Sequence, residues 1–381
     1  MKNESYLKNI FGKSIICQNR AIMSSYNCFS KRAMLFSCLL GAFFLLSSYG
    51  SNIRSLANKN SSDERLIIGV ITQPIPKTKN KSEPIGYIDA TYVDLLESYN
   101  VSVVPIYHGL THKAIRVLLN RIDGLLLTGG TTTLMKYNRT IPDDDSETEG
   151  GDAPEGDYKT AIGFSKFGRF LQNLIYQASD LNKLNGTFPV YAICLSNEML
   201  GLSYADSLSL LRNFTRWKKK DRLAPIKFIA NKSSSKIMSG LSDSLISKME
   251  NSPSQLFHHH YSLSYEVASK DSGFSKEFEI VATAKDIYDN EYVAIMESKT
   301  RPFIGTQFHT NKIQSGSGTD DTQEKIQDYF MKYLINLAKK RKRSRKSDQQ
   351  FIEKLGIKSS QKKRIPTYTG GDVYLIDFSK K

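Results

Sequence analysis

The chain has 381 residues, 53 Lys and Arg against 38 Asp and Glu for a formal charge of +15, and a 40% hydrophobic content. That apolar fraction supports a full core in one large domain or two modest ones and excludes disorder by composition. The positive charge is uneven: "KKRKRSRK", residues 339–346, holds a dense basic run with no RNA- or DNA-binding motif beside it, so a solvated helix end or loop is expected and nucleic acid is not.

In chain order, the first feature is "AMLFSCLLGAFFLLSS" after Arg32. This uncharged apolar run follows a basic segment with Lys2, Lys8, Lys13, Arg20, Lys31 and Arg32. The layout is that of a secretory signal, with small residues Ser48 and Gly50 before Ser51, or of a single signal anchor. Residues 1–50 are read as that segment, 51–64 as a polar linker and 65–381 as one domain. The domain is then lumenal or extracellular, in a lysosome, a vacuole or the extracellular space, with no stable membrane association once the signal is cleaved. Sequons at Asn60, Asn80, Asn100, Asn138, Asn185, Asn213 and Asn231 support that side of the membrane. Cys17, Cys28 and Cys38 fall in the leader, which leaves Cys194 without a disulfide partner, either buried and inert or reactive.

"RLIIGVITQP" reads as a buried strand that stops at Pro74. "YIDATYVDLLESYN" reads as a helix with Tyr92, Val93, Leu95, Leu96 and Tyr99 on one side. Strand "VSVVPIY", helix "KAIRVLLNR" and strand "DGLLLTGG" follow, then an acidic glycine-rich loop near 143–157, a long helix over 158–180 and strand "FPVYAI". The second half adds strand-like "EFEIVATA", "EYVAIMES" and "PFIGTQF" and helix "DDTQEKIQDYFMKYLINLAKK". Strands apolar throughout that alternate with helices imply an α/β fold, a doubly wound, mostly parallel sheet covered by helices on both faces, with function at the carboxyl ends of its strands.

In "FPVYAICLSNEML" the strand reaches Cys194 and turns at once into a helix start. A nucleophile at such a corner stands on a sharp elbow, flanked two residues away by the smallest side chains, here Ala192 and Ser196. The helix N-terminus below is expected to lower the thiol pKa, with the Leu195 N–H facing a developing oxyanion. "LLLTGGTTT" offers the second donor, since Gly129 and Gly130 let the backbone approach a reacting carbonyl. The base must be one of His108, His112, His258, His259, His260 and His309, and His309 stands out at the end of "PFIGTQF".

"YAICLSNE", "LLLTGG" and "GTQFHTNK" resemble the nucleophile, oxyanion and histidine segments of class I glutamine amidotransferase-like hydrolases of flavodoxin-like architecture. "YIDATYV", "RNFT", "HHHYSLS" and "RIPTYTGGDVYLIDF" narrow the resemblance to the gamma-glutamyl hydrolase family, from residue 67 to the C-terminus. The resemblance implies hydrolysis of folate poly-γ-glutamates with Cys194 as nucleophile, His309 as base, and Gly130 and Leu195 as oxyanion donors. It further implies that His259 lies near the nucleophile and supports substrate binding, with Gly129, Tyr92 and Glu198 also on the substrate side. It implies no cofactor and no metal, a possible homodimer, and a basic loop over 339–364 before a closing strand over 367–378. The family's "HPE" is here His309, Thr310 and Asn311, so an amide stands where a carboxylate orients the histidine. A protein that keeps the fold as a weakened or inactive binding module is the alternative. Arg216, Lys218 to Lys220 and Arg222 are candidates for attracting an anionic tail.

Overall fold

Ile67–Ile71 are all buried, as are Gly124–Leu127, Val190–Ile193 and Phe303–Thr306. Neighbouring residues of a strand point to opposite faces, so unbroken burial means that both faces of the sheet are covered. The computed structural model describes residues 65–75, 85–137, 161–214, 222–344, 347–364 and 371–380. The expected signal segment, the linker, the acidic loop, Arg216 and Lys218 to Lys220 lie outside the described residues.

The central sheet has eight strands, labelled β1 (Ile67–Ile71), β2 (Ser102–Ile106), β3 (Gly124–Leu127), β4 (Val190–Ile193), β5 (Lys227–Phe228), β6 (Phe278–Lys285), β7 (Glu291–Ser298) and β8 (Phe303–Thr306). Their order is β5-β6-β7-β8-β4-β3-β1-β2. From β8 to β2 every pairing is parallel, while β5, β6 and β7 extend the sheet as an antiparallel edge. The parallel part matches the sequence expectation. The antiparallel edge was not foreseen, because a buried antiparallel strand carries the same apolar run as a parallel one.

Five helices frame the site: α1 (Ala90–Ser98), α2 (His112–Leu119), α3 (Lys166–Asn185), α4 (Leu195–Leu202) and α5 (Asp320–Lys339). Helix α1 begins later than "YIDATYV" suggested, because Ile85–Asp89 is a strand and the Asp89 side chain caps the helix by accepting from the Thr91 N–H at 3.1 Å. Helix α3 likewise starts at Lys166, not 158. Ala161–Phe164 pairs as a strand with Met135–Tyr137, and Ser165 supplies the cap. Beyond α3, Gly186 closes the helix at φ 76°, and the Asn182 amide clamps both main-chain groups of Phe188, which aims the chain into β4.

A second sheet of four antiparallel strands joins Lys362–Arg364, Asp372–Asp377, Ile85–Asp89 and Gln73–Pro74. The strand Asp372–Asp377 falls within the expected closing segment. The stretch expected as a basic loop is structured instead. It carries a helix, Asp348–Leu355, and two of its arginines are buried. Arg341 donates to the carbonyls of Ile122 and Leu119 and lies 4.7 Å over the Phe188 ring. Arg343 pairs with Asp123 and Asp348. Asp123 is fully buried and also accepts from the Ile67 N–H, so a charge that the core could not otherwise hold is neutralised by a residue of the basic run.

Candidate active site

Cys194 sits between β4 and α4 with φ 54° and ψ −114°, a backbone conformation rarely adopted by a residue with a side chain. Two hydrogen bonds hold the corner: the Cys194 N–H donates to the Thr306 carbonyl at the end of β8, and the Glu198 N–H to the Cys194 carbonyl. Ser196 occupies one flanking position with no exposed surface, and its hydroxyl donates to the Thr128 carbonyl at 2.6 Å, tying α4 to the turn after β3. The larger side chain is thereby accommodated by a bond. Asn197 reaches across to Gly305 of β8, where an added Cβ would stand 2.1 Å from its Oδ1.

The turn after β3 brings the remaining groups together. A Cβ at Gly129 would lie 2.9 Å from His309 Cε1, 3.2 Å from Cys194 Cβ and 3.3 Å from the Tyr92 hydroxyl. Only a glycine lets those three side chains meet. The Gly129 N–H donates to the Tyr92 hydroxyl at 3.0 Å. Gly130 faces the Gln73 side chain, which accepts from Thr132 and donates to Thr128. His309 lies three residues past β8, and its N–H donates to the Leu256 carbonyl. Its loop is anchored from below by Tyr191, whose hydroxyl meets Thr306 at 3.0 Å and Thr310 at 2.6 Å while its ring stacks on Phe330 of α5.

The resting electrostatics differ from the expectation of a lowered thiol pKa. Burial and the nearby Glu198 push the Cys194 thiol up, outweighing the Leu195 N–H and Lys312, which pull it down. Burial, followed by Lys312 and His258, holds the His309 imidazole well below its ordinary value, and only the Asn311 side chain raises it. A short helix N-terminus cannot offset the loss of hydration of a thiolate this deep. Both shifts favour the neutral thiol and the neutral imidazole in the resting site.

Glu198, expected on the substrate side, is buried one turn into α4 and accepts from Gln307 Nε2 at 2.9 Å. Burial raises its pKa to about 8. Tyr92 is also buried, which raises its phenol pKa. The three consecutive histidines divide. The His258 carbonyl faces the Cys194 thiol at 3.6 Å, and its ring centre is 6.4 Å from that of His309. His259 turns against Tyr292 and Phe257 and donates from Nδ1 to the Tyr261 carbonyl, leaving Nε2 buried. Arg222 donates to His258 Nδ1 at 3.4 Å. Asn311 is buried, and its Nδ2 donates to Thr91 Oγ1 at 2.6 Å. Among the described residues no cluster of His, Cys, Asp and Glu is arranged to hold a metal ion.

Several groups at the site were not singled out in the sequence. Thr91, Asp89 and Lys312 flank Asn311, and Gln307 and Tyr191 support the His309 loop. Asp89 had a usable signal, since an acidic residue two positions before a threonine at a helix start is a cap pattern.

The same segments decide the kinship. The sequence model of Peptidase C26 matches residues 66–149, and that of Glutamine amidotransferase class-I matches residues 163–327. Gamma-glutamyl hydrolase B of Dictyostelium discoideum is 26% identical over 86% of this chain and 86% of that protein. The gamma-glutamyl hydrolase of Homo sapiens is 25% identical over 87% of this chain and 95% of that protein. Over most of its length the chain is similar to gamma-glutamyl hydrolases. The gamma-glutamyl hydrolase of Mus musculus is also similar, 26% identical over 80% of this chain. The side chains of Ser196 and Asn311 both find partners, in the Thr128 carbonyl and the Thr91 hydroxyl.

Proposed function

We propose that this protein is a cysteine hydrolase that cleaves γ-glutamyl bonds of folate poly-γ-glutamates. The observation that carries the proposal is the strained Cys194 corner facing His309 across Gly129. A strained nucleophile poised beside a base at the carboxyl ends of parallel strands is the arrangement acyl transfer needs.

Because the resting pair is neutral, His309 acts as general base. It takes the thiol proton as Sγ bonds to the γ-carbonyl carbon, and the carbonyl electrons move onto oxygen. The N–H of Leu195, already directed at the sulfur, and that of Gly130 receive the oxyanion. The imidazolium returns its proton to the leaving amine as the C–N bond breaks, leaving a thioester. Water then adds, giving a proton to His309, and the C–S bond breaks with the proton restored to sulfur. The Gly129 N–H is engaged by Tyr92, which supports Gly130 as the second donor.

The secretory reading is supported by the exposure of sequon residues Asn100, Asn213 and Asn231. No helix among the described residues is long and apolar enough to cross a membrane. The test is incubation of the purified protein with pteroyl-poly-γ-glutamate at acid and neutral pH beside Cys194→Ala, with shortened products followed by chromatography. Product lost with the alanine variant is the expected result. Binding without cleavage by a protein with native circular dichroism, or product that persists in Cys194→Ala, would overturn it.

A further inference from the structure

The amide that replaces a carboxylate beside His309 is oriented by a chain of hydrogen bonds that ends on a carboxylate. Asn311 Nδ2 donates to Thr91 Oγ1 at 2.6 Å, and Thr91 Oγ1 donates to Asp89 Oδ1 at 2.7 Å. The second Asp89 oxygen is paired with Lys312 at 2.7 Å. An ionised carboxylate only accepts, so the single Thr91 hydroxyl hydrogen is committed to Asp89 and its oxygen can only accept from Asn311. The usual ambiguity of an amide, whose oxygen and nitrogen look alike, is thereby removed. Asn311 must turn its NH2 to Thr91 and its oxygen the other way. That oxygen is buried without a hydrogen-bond partner, as are both ring nitrogens of His309.

We propose that Thr91 and Asp89 are positioning residues that lock the Asn311 amide so that its oxygen accepts the His309 ring N–H, fixing the imidazole tautomer that leaves the other nitrogen free to take the Cys194 proton. The device does for an amide what a carboxylate does without help, because a carboxylate has no wrong face. If the amide flips, its NH2 meets the ring nitrogen, the proton moves to the nitrogen that should serve as base, and proton transfer from the thiol stops. In agreement, the Asn311 side chain is the one neighbour that raises the His309 pKa. Contacts of this kind tighten when substrate closes the site.

The inference rests on the general-base reading above, so its test does not use the γ-glutamyl substrate. The full-length protein is alkylated with iodoacetamide across the pH range, and the Cys194 peptide is followed by mass spectrometry in wild type, Thr91→Val, Thr91→Ser and Asp89→Asn. Thr91→Val keeps the shape and removes the hydroxyl; Thr91→Ser keeps the hydroxyl. The expected result is alkylation slowed about tenfold in Thr91→Val and left within about twofold of wild type in Thr91→Ser. Asp89→Asn, which frees the hydroxyl hydrogen and lets the amide turn, should fall between them. Unfolded protein would alkylate faster, not slower, so a fold defect cannot mimic the result. Unchanged alkylation in Thr91→Val, or equal slowing in Thr91→Ser, overturns the inference. Slowed alkylation beside a wild-type protein that leaves pteroyl-poly-γ-glutamate intact would sink the proposed substrate and leave the positioning device standing.

Discussion

Replacing Glu198 by Gln should make the protein more stable as the pH rises, and the structure fixes both sign and size. The carboxyl is buried, and desolvation lifts its pKa from the ordinary 4.5 to about 8 in the folded chain. Between those values the folded state holds a proton that the unfolded state has lost, so wild-type stability declines with rising pH at about 1.4 kcal/mol per pH unit. By neutral pH the accumulated penalty approaches about 3 kcal/mol. Gln has the same shape, its oxygen still accepts from Gln307 Nε2, and it cannot ionise. Urea unfolding of the two proteins between about pH 5 and pH 7 should show their stabilities close at the acid end and diverging in favour of Glu198→Gln toward neutrality. The histidines held below their ordinary pKa give a slope of the opposite sign, but they are common to both proteins and cancel in the difference. A gap between the curves that stays constant across that range would refute the reasoning.

Gly129→Ala places a methyl group against His309 Cε1 and Cys194 Cβ and should reduce turnover about 100-fold, the usual scale for a small misplacement of reacting groups. Wild-type turnover would contradict the geometry. The acid limb of kcat/KM should lie well below the ordinary histidine value of 6.5, because burial and the Lys312 charge keep the base neutral; Lys312→Met should move that limb to higher pH, and a downward move would be inconsistent with the electrostatics. Asp123→Asn removes the charge that Arg343 and the Ile67 N–H share, and should cost about 3–5 kcal/mol in urea unfolding. A loss below about 1 kcal/mol would show that Asp348 alone satisfies the arginine.

Much of the layout is legible in the sequence because full burial demands it. "LIIGVI", "GLLL" and "VYAI" read as strands covered on both faces, as they are, and the corner after "VYAI" announces where Cys194 stands. What stayed hidden depends on distance. Arg341 and Arg343 read as part of a solvated run, since their buried partners at Leu119, Ile122 and Asp123 lie more than 200 residues away. The helix expected from 158 begins at Lys166 because Ala161–Phe164 finds a pairing strand that local periodicity does not reveal. At the site, the pattern rules singled out Cys194 and His309 as candidates, and the thiol pKa they led one to expect runs opposite to the effect of burial, since burial depth is a property of the packed molecule. Asn311 read as a lesion, and its partner Thr91 lies 220 residues earlier in the chain.

The pairing of Asp372–Asp377 with Ile85–Asp89 has a consequence in time. Val373 lies opposite Asp89, and Tyr374 donates to Asp94, 280 residues earlier. A ribosome delivers Cys194 and His309 long before it delivers the strand that backs Asp89. During synthesis the edge of Ile85–Asp89 that Asp372–Asp377 covers therefore stays open after Cys194 and His309 have been made. A chain that stops before Asp372 would be left with that edge of Ile85–Asp89 unpaired.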